Sequence, residues 1–201
     1  MKCMPVRYRA VAVALLLFAA GCGSSPPMRY YTLAADQSLN KAEVPDSPTG
    51  RYAVAVGPVT VPLAVDRPQF VIQVAPNRVA LLDDQRWAEP LKSGIPRVIA
   101  FDLAGLLGVP IVMFPQDSQA DVKYRVAIEI RNFVSVPGEA ATVEASWTVF
   151  GPHDAVQRGQ LLAREPVKEA GYEALAAAHG RALMRVSREL AATIRSDEAG
   201  R

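Results

Sequence analysis

An alternating run, Val122-Lys123-Tyr124-Arg125-Val126-Ala127-Ile128-Glu129-Ile130-Arg131, places a large apolar side chain at every even-numbered position. Successive side chains of a β-strand point to opposite faces, so this period of two predicts a strand with one buried and one solvated face. Pro137-Gly138 predicts a turn, and the alternation returns in residues 142–149. The two segments are therefore expected to pair as antiparallel neighbours.

Shorter strand signals flank this pair on both sides. Runs rich in β-branched and aromatic residues and bounded by turn-forming residues predict strands over residues 29–33, 52–61, 70–75, 78–82, 109–114 and 160–167. Gly57-Pro58 is expected to interrupt the second of these, and Pro76-Asn77 predicts a hairpin between the third and the fourth. Residues 35–50 are expected to form a surface loop, and residues 83–94 an irregular segment.

Two helices complete the predicted domain. The first is expected over residues 95–107, with Pro96 in its first turn and Gly108 just past its end. The second is expected over residues 171–195, with one apolar face formed by Leu175, His179, Leu183, Val186, Leu190 and Ile194. These elements predict a single α+β domain, with both helices on one face of a mixed, mainly antiparallel sheet.

Residues 1–21 have the pattern of a secretory signal. Basic residues precede an apolar run over 10–20 that is too short for the ~20 residues of a membrane-spanning helix. Cys22 follows Ala19-Ala20-Gly21, which indicates a bacterial lipobox: diacylglycerylation of the thiol, cleavage before Cys22, and acylation of the new amino group by a fatty acid such as palmitate. Ala19 stands where lipoboxes usually have Leu, so ordinary signal-peptidase cleavage is the alternative.

Composition bounds the mature chain that begins at Cys22. The signal contains three of the 22 basic residues and none of the 20 acidic ones, which leaves 19 basic and 20 acidic residues. Such a nearly neutral chain lacks the electrostatic footprint of a nucleic-acid-binding protein. Cys3 lies in the signal, so no internal disulfide is expected. Residues 22–28 form a short tether to one domain over 29–201, and this tether extends about 30 Å at most.

No arrangement of catalytic or metal-binding residues stands out. The chain has two histidines and lacks a nucleophile elbow, a phosphate-binding glycine loop, HExxH and CxxC. His179 is expected to be a hydrogen-bonded core residue, His153-Asp154 a solvated turn, and Asp83-Asp84 the end of a hairpin. We therefore expect no catalytic residues, no metal and no cofactor.

Asp102 stands out because helical geometry places it beside apolar side chains of the first predicted helix. A buried carboxylate needs a cationic or hydrogen-bonding partner, so the sequence predicts an arginine in contact with it.

Two groups of residues are candidates for binding. In the last helix, four arginines lie within a stripe of about 80° opposite the apolar face; they are Arg181, Arg185, Arg188 and Arg195. This stripe is either a solvated face or a contact for lipid phosphates or an acidic partner. Arg67, Arg86 and Trp87 either anchor a partner interface or serve the core, with Trp87 capping it and Arg67 or Arg97 pairing with Asp102 or Glu89.

An ordered set of short motifs carries a family resemblance over essentially the whole chain. The motifs are Arg29-Tyr30-Tyr31-Thr32-Leu33, Val56-Gly57-Pro58-Val59, Asp66-Arg67-Pro68-Gln69, Arg86-Trp87-Ala88-Glu89-Pro90-Leu91 and Ile95-Pro96-Arg97-Val98. Together with the preceding Cys22 they resemble the ABC-type transport auxiliary lipoprotein family, the PqiC-like membrane-integrity lipoproteins. Val65 departs from the Leu that is common there.

The resemblance implies a non-enzymatic lipoprotein on the periplasmic face of the outer membrane of a Gram-negative bacterium. It implies a partner with an MCE domain in an ABC-type lipid-transport system, and self-association into a homo-oligomer. Gly23 is not the aspartate that retains lipoproteins at the inner membrane, which is consistent with this location. The alternative is a carrier that binds a hydrophobic molecule itself. An enclosed apolar cavity would favour the carrier, and a filled core the docking component.

Overall fold

The computed structural model describes residues 27–36, 52–113 and 121–200. In these ranges the chain forms, in order, β1 (Arg29–Tyr31), β2 (Ala53–Thr60), β3 (Gln69–Ala75), β4 (Arg78–Trp87), α1 (Leu91–Leu107), β5 (Ile111–Met113), β6 (Val122–Val136), β7 (Ala140–Phe150), β8 (Val156–Pro166) and α2 (Tyr172–Ala199). The predicted signal, Cys22 and most of the predicted loop over 35–50 lie outside the described residues.

The larger sheet has the strand order β5-β2-β6-β7-β8. Its first three strands are parallel, and β6, β7 and β8 form an antiparallel meander. The alternation that predicted β6 is confirmed, because Tyr124, Val126, Ile128 and Ile130 are all buried. The turn at Pro137-Gly138 is confirmed as well.

The smaller sheet has the order β1-β4-β3, with β1 parallel to β4 and β3 antiparallel to it. The α+β class is confirmed, but the expectation of one sheet was wrong, since β1, β3 and β4 form a separate sheet whose β3 lies against β6. The reason is that alternation within a strand shows which face is buried and not which strand is its neighbour.

The helices pack on the larger sheet and on each other, α1 against β2 and β5, and α2 against β7 and β8. The predicted apolar face of α2 is confirmed, because all six of its predicted residues are buried. The last turn of α1 ends as predicted: Gly108 adopts φ 66° and its N–H donates to the carbonyl of Ala104 at 2.9 Å. A left-handed residue after a helix is typically glycine, which carries no Cβ penalty there.

The segment over 83–94 differs most from expectation. It was predicted to be irregular, yet β4 continues to Trp87 and α1 begins at Leu91, so Pro96 lies inside α1 rather than in its first turn. The last residues of β4 pair with β1, Arg29 opposite Gln85 and Tyr31 opposite Trp87, and Arg86 also pairs with Gln69 of β3. Pairing across such a sequence distance leaves no local periodic signal.

The expected interruption of β2 is a local irregularity within a continuous strand. The register between β2 and β6 shifts between Val56 and Val59, which brackets a cis Gly57-Pro58 bond. Bulges of this kind let an extra residue enter a strand without ending it.

Candidate functional site

The segment that follows the predicted lipid anchor is built into the folded body. The carbonyl of Tyr31 accepts the N–H of Ala88 at 2.8 Å, and the carbonyl of Leu33 accepts Nη2 of Arg97 at 3.0 Å. Gly180 of α2 leaves room for the chain here, because a Cβ at that position would lie 2.7 Å from the carbonyl oxygen of Ala34. The anchor-side segment is therefore fixed to β4, α1 and α2.

Trp87 lies in an aromatic cluster of the core. Its ring is stacked on Phe70, with centroids 4.3 Å apart, and meets Phe133 and His179 edge-on at 6.1 and 6.3 Å. Only 6% of Trp87 is exposed. The structure therefore gives its ring the core position that was one of the two alternatives.

A depression of about 350 Å³, here called the Trp87 pocket, opens above this tryptophan. Its walls are the lead-in to β3 and the connection from β4 to α1, formed by Asp66, Arg67, Pro68, Trp87, Ala88, Glu89, Pro90 and Lys92. The N–H of Trp87 donates to the carbonyl of Pro68 at 2.8 Å, which ties the two walls together. The pocket thus unites two of the motifs that carry the family resemblance.

The structure brings Arg67 and Trp87 together at this pocket but leaves Arg86 elsewhere. Nε of Arg86 donates to the carbonyl of Asp83 at 3.2 Å, and Arg86 is not among the pocket's lining residues. Strand geometry explains this outcome, because neighbours on β4 point to opposite faces. Asp83 is also part of β4, so the expected hairpin end at Asp83-Asp84 was wrong.

Of the charged side chains at the Trp87 pocket, Glu89 has an ion-pair partner, whereas Arg67 and Lys92 have none among the described residues. Glu89 is paired with Arg97, Nη2 to Oε1 at 2.5 Å, as one of the sequence alternatives expected. Nε of Arg67 is buried and has no hydrogen-bond acceptor within the part of the chain that the structure describes. Lys92 is exposed on the rim. The lining of the pocket therefore includes two cations, Arg67 and Lys92, besides the paired Glu89.

The arginine stripe of α2 is partly engaged by the chain itself. Arg181 and Arg185 share Glu165 of β8, each at 3.5 Å. Arg195 donates to the carbonyl of Leu106, near the C-terminal end of α1, where the helix dipole favours a cation. Arg188 is exposed. Three of the four arginines thus fasten α2 to its neighbours.

Asp102 is buried as expected, but its expected arginine contact was wrong. Oγ of Ser187 donates to its carboxylate at 3.1 Å and the N–H of Asp36 at 3.3 Å, whereas Arg188 acts on it only through space. Burial raises the pKa of Asp102 to about 6, against the lowering effect of these hydrogen bonds. Asp102 therefore joins α1, α2 and the anchor-side segment with a carboxylate that is costly to ionise.

His179 is a core residue, as predicted. Its Nε2 lies 2.8 Å from Oγ of Ser135, its ring is stacked on Phe133 at 3.8 Å, and burial lowers its pKa to about 3. His153 and Asp154 form an exposed turn, with φ of 57° and 58°. Among the described residues no cluster of three His, Cys, Asp or Glu side chains is placed to hold a metal ion.

A charged cluster that the sequence did not reveal fixes the end of α2. Nζ of Lys123 lies 2.5 Å from Oε1 of Glu198 and 4.8 Å from the ring centre of Tyr52, while the hydroxyl of Tyr124 donates to Asp197 at 2.8 Å. Burial, reinforced by Glu198, raises the pKa of Tyr52 to about 12, and the hydrogen bond from Lys123 lowers the pKa of Glu198. Its members come from β6, α2 and the residue before β2, so only the fold unites them.

Other depressions among the described residues are larger than the Trp87 pocket, and two of them are open grooves. One, of about 590 Å³, crosses the uncovered face of the larger sheet beside Glu129, Ser146 and Arg158. The other, of about 630 Å³, runs between α1 and β2 and is lined in part by Pro58, Pro96 and Met113. Among the described helices, neither is both long and apolar enough to cross a membrane.

Solved structures share this fold at low sequence identity. A crystal structure of an uncharacterized protein superposes with a TM-score of 0.68 and 15% identity, covering 84% of this chain and 99% of that one. Protein XCC0632 from Xanthomonas campestris, assigned to the DUF330 family, gives a TM-score of 0.60 and 18% identity over 86% of this chain and 97% of that one. At these identities the likeness shows the fold alone. No curated protein matches the chain significantly.

The sequence itself matches a family model over residues 31–191, from β1 to the last turns of α2. This range contains every element from β2 to β8, both walls of the Trp87 pocket and most of the buried face of α2. Transport auxiliary components of this kind are not a class of enzymes. The chain belongs to the family of ABC-type transport auxiliary lipoprotein components.

Proposed function

We propose that this protein is a non-enzymatic docking component of an intermembrane lipid-transport system. In this proposal, Cys22 carries the acyl chains that hold the protein to the periplasmic face of the outer membrane. The folded body then receives an MCE-domain protein that spans the periplasm. Family membership supports a role in ABC-type transport, and the specific partner and membrane are the additions of the proposal.

The observation that carries the proposal is the filled core between the helices and the larger sheet. Side chains with no exposed surface occupy this space from both sides, among them Ile95, Ile99, Leu103, Tyr124, Leu183 and Leu190. A carrier of a hydrophobic molecule needs an enclosed pocket that buries most of its ligand. The depressions described above are open, which favours docking over carriage.

The attachment of the anchor-side segment supports the same role. Because residues 31–36 contact β4, α1 and α2, the body begins within a few residues of the tether. A tether of about 30 Å at most keeps such a body near one membrane, where it can receive a spanning partner but cannot cross the periplasm.

Exposed apolar side chains offer contact surface for a partner or a second copy. The β3–β4 hairpin presents Val74, Val79 and Leu81, with 44, 60 and 46% of their surfaces exposed. A group of large exposed apolar residues on one element is typical of interaction surfaces. The arginine stripe is proposed as a second surface, for lipid phosphates or an acidic partner, through Arg188 together with its engaged neighbours.

One observation keeps the carrier as the second candidate. The groove between α1 and β2 has a largely apolar lining, which includes Val56, Val59 and Ala100 besides the prolines, and a charged rim at Lys92 and Arg97. Such a lining suits one chain of a bound amphiphile.

Affinity purification of the tagged, full-length protein from native membranes tests the proposal. We expect an MCE-domain protein to copurify with the wild type, and we expect Cys22→Ser to lose membrane attachment and transport function. Mass spectrometry of the mature N-terminus then shows whether Cys22 is acylated. Copurification of lipid without any MCE-domain protein favours the carrier, and full function of Cys22→Ser contradicts the anchored role.

A further inference from the structure

We propose that the Trp87 pocket binds a single carboxylate side chain from a segment of a partner protein. The identity of the partner rests on the function proposed above, whereas the chemistry of the pocket does not. The proposal assigns a role to two motifs, at 66–69 and 86–91, that supply most of the pocket's lining.

The pocket is a built concavity rather than a chance surface dip. Pro68 and Pro90 restrict the backbone of its two walls, and the hydrogen bond between the N–H of Trp87 and the carbonyl of Pro68 holds the walls together. The rigid stack of Trp87 on Phe70 supports its floor. With a volume of about 350 Å³, the pocket is large enough to receive a side chain of a partner.

The cationic side chains that line the pocket favour a negatively charged ligand. Arg67 and Lys92 both line the pocket, and no ion pair joins either of them to a carboxylate within the described ranges. A guanidinium matches the planar geometry of a carboxylate, often through two parallel hydrogen bonds. Lys92 is exposed at the rim, so a ligand carboxylate can meet the guanidinium of Arg67 and the ammonium of Lys92 together.

The neighbouring carboxylates decide between a protein and a membrane as the source of the anion. Arg97 neutralises Glu89, but Asp66 also lines the pocket and adds a negative charge beside Arg67. A bilayer presents many phosphates at once to a basic surface, and that mode of binding suits clusters of exposed Lys and Arg without interspersed acids. With Glu89 paired to Arg97, the remaining charges of the lining are Arg67, Lys92 and Asp66, a net charge of +1, which suits one carboxylate of a partner's Asp or Glu.

Fluorine NMR on the full-length, anchored protein in detergent micelles tests the pocket directly. The chain contains two tryptophans, Trp87 and Trp147, so 5-fluorotryptophan labelling gives one reporter in the pocket and one internal reference in the larger sheet. The probes are N-acetyl-glutamate methylamide, as a carboxylate side chain, and sn-glycerol 3-phosphate, as a lipid headgroup.

We expect the glutamate probe to shift the Trp87 resonance and leave that of Trp147 in place. Arg67→Gln should weaken this binding by about tenfold or more, as the loss of a charged hydrogen-bond partner does. Arg158→Gln, an exposed arginine on the open face of the larger sheet, is the matched control and should bind as the wild type does. An unchanged Trp147 resonance in each variant shows that the fold is intact.

Three results overturn the proposal: no shift of Trp87 with the glutamate probe, equal binding by Arg67→Gln, or stronger binding of glycerol phosphate than of the glutamate probe. Copurification separates this inference from the proposed function. An MCE-domain protein recovered equally with wild type and with Arg67→Gln refutes the pocket's role and leaves the function standing. Pocket binding without any copurifying MCE-domain protein supports the pocket and refutes that function.

Discussion

The two sheets of this protein differ in how their strands pair and in which other segments they contact. The five-stranded sheet contains the long meander from β6 to β8, covered on one face by both helices. The three-stranded sheet is short, and two of its strands, β1 and β4, join segments far apart in the chain. Yet the smaller sheet holds the anchor-side segment and forms both walls of the Trp87 pocket with its flanking residues.

The stability of the two sheets therefore depends on different kinds of contact. The meander gains its stability from a repeated pattern of buried and solvated side chains, which tolerates change on the open face. The smaller sheet instead depends on single contacts, such as the stack of Trp87 on Phe70 and the close approach of Gly180 to Ala34. We therefore expect point substitutions to affect the two sheets in different ways.

Trp87→Ala should have the largest effect on stability. Removing a buried aromatic ring leaves a cavity in the cluster with Phe70, Phe133 and His179, and such truncations cost about 3–5 kcal/mol. Urea unfolding followed by circular dichroism measures the loss. Trp87→Phe, which keeps most of the ring volume, is the control and should cost less. A stable Trp87→Ala protein that fails only in association would show that the ring serves the interface instead.

Gly159→Ala tests the packing of the larger sheet. A Cβ on Gly159 would lie 2.5 Å from the ring of Trp147, so the strand or the ring has to move, at a cost of about 1–3 kcal/mol. The adjacent Gln160→Ala, on the open face, should change the free energy of unfolding by less than about 0.5 kcal/mol. Equal effects of the two substitutions would contradict the division between a packed and a tolerant face.

Gly180→Ala tests the attachment of the anchor-side segment to α2. Helix propensity alone favours alanine by about 1 kcal/mol, but its Cβ would lie 2.7 Å from the backbone carbonyl of Ala34. We expect a net loss of about 1–2 kcal/mol and faster amide exchange in residues 31–36. Gly94→Ala in α1 would place its Cβ 3.2 Å from the side chain of Glu89 rather than against backbone, so it should cost less than Gly180→Ala. A stabilising Gly180→Ala would mean that the segment moves away at little cost.

Substitution of Asp102 should have a smaller effect on the free energy of unfolding, and this effect should depend on pH. Burial raises the pKa of Asp102 from 3.8 to about 6, so its carboxylate binds a proton more tightly in the folded protein than in the unfolded chain. Its contribution to stability is therefore full below about pH 4 and is lost as pH rises through 6. Asp102→Asn should flatten stability between pH 4 and 6 and raise it at pH 7.5 by about 1–2 kcal/mol. Chemical unfolding across this range measures both, and an unchanged slope would show that Asp102 ionises freely.

The sequence predicted the larger sheet better than the smaller one for a physical reason. In β6 and β7 the alternation spans many residues, so the strands, their turn and their buried faces follow from local pattern. The same holds for the apolar face of α2. In β1 and β4 the pairing is long-range, and 83–94 therefore looked irregular although β4 and α1 occupy most of it.

The sequence predicted some residues of the candidate site but not their burial or their contacts. The sequence grouped Arg67, Arg86 and Trp87 as candidates for a partner interface, and that role stays a prediction. The structure places Arg67 and Trp87 at one pocket and Arg86 outside it, because the pocket depends on the folded positions of the segments before β3 and after β4. The partner of Asp102 was missed because Ser187 and Asp36 reach it through the packing of α1 against α2. The cluster around Lys123 likewise needs three distant segments to meet.

Site-specific photocrosslinking in living cells tests the central claim most directly. A photoreactive amino acid at Lys92, on the rim of the Trp87 pocket, is compared with one at Arg158, on the open face of the larger sheet. The account predicts that Lys92 crosslinks to an MCE-domain protein and that Arg158 does not. Crosslinking to that protein from Arg158 alone, or from neither position, would contradict it.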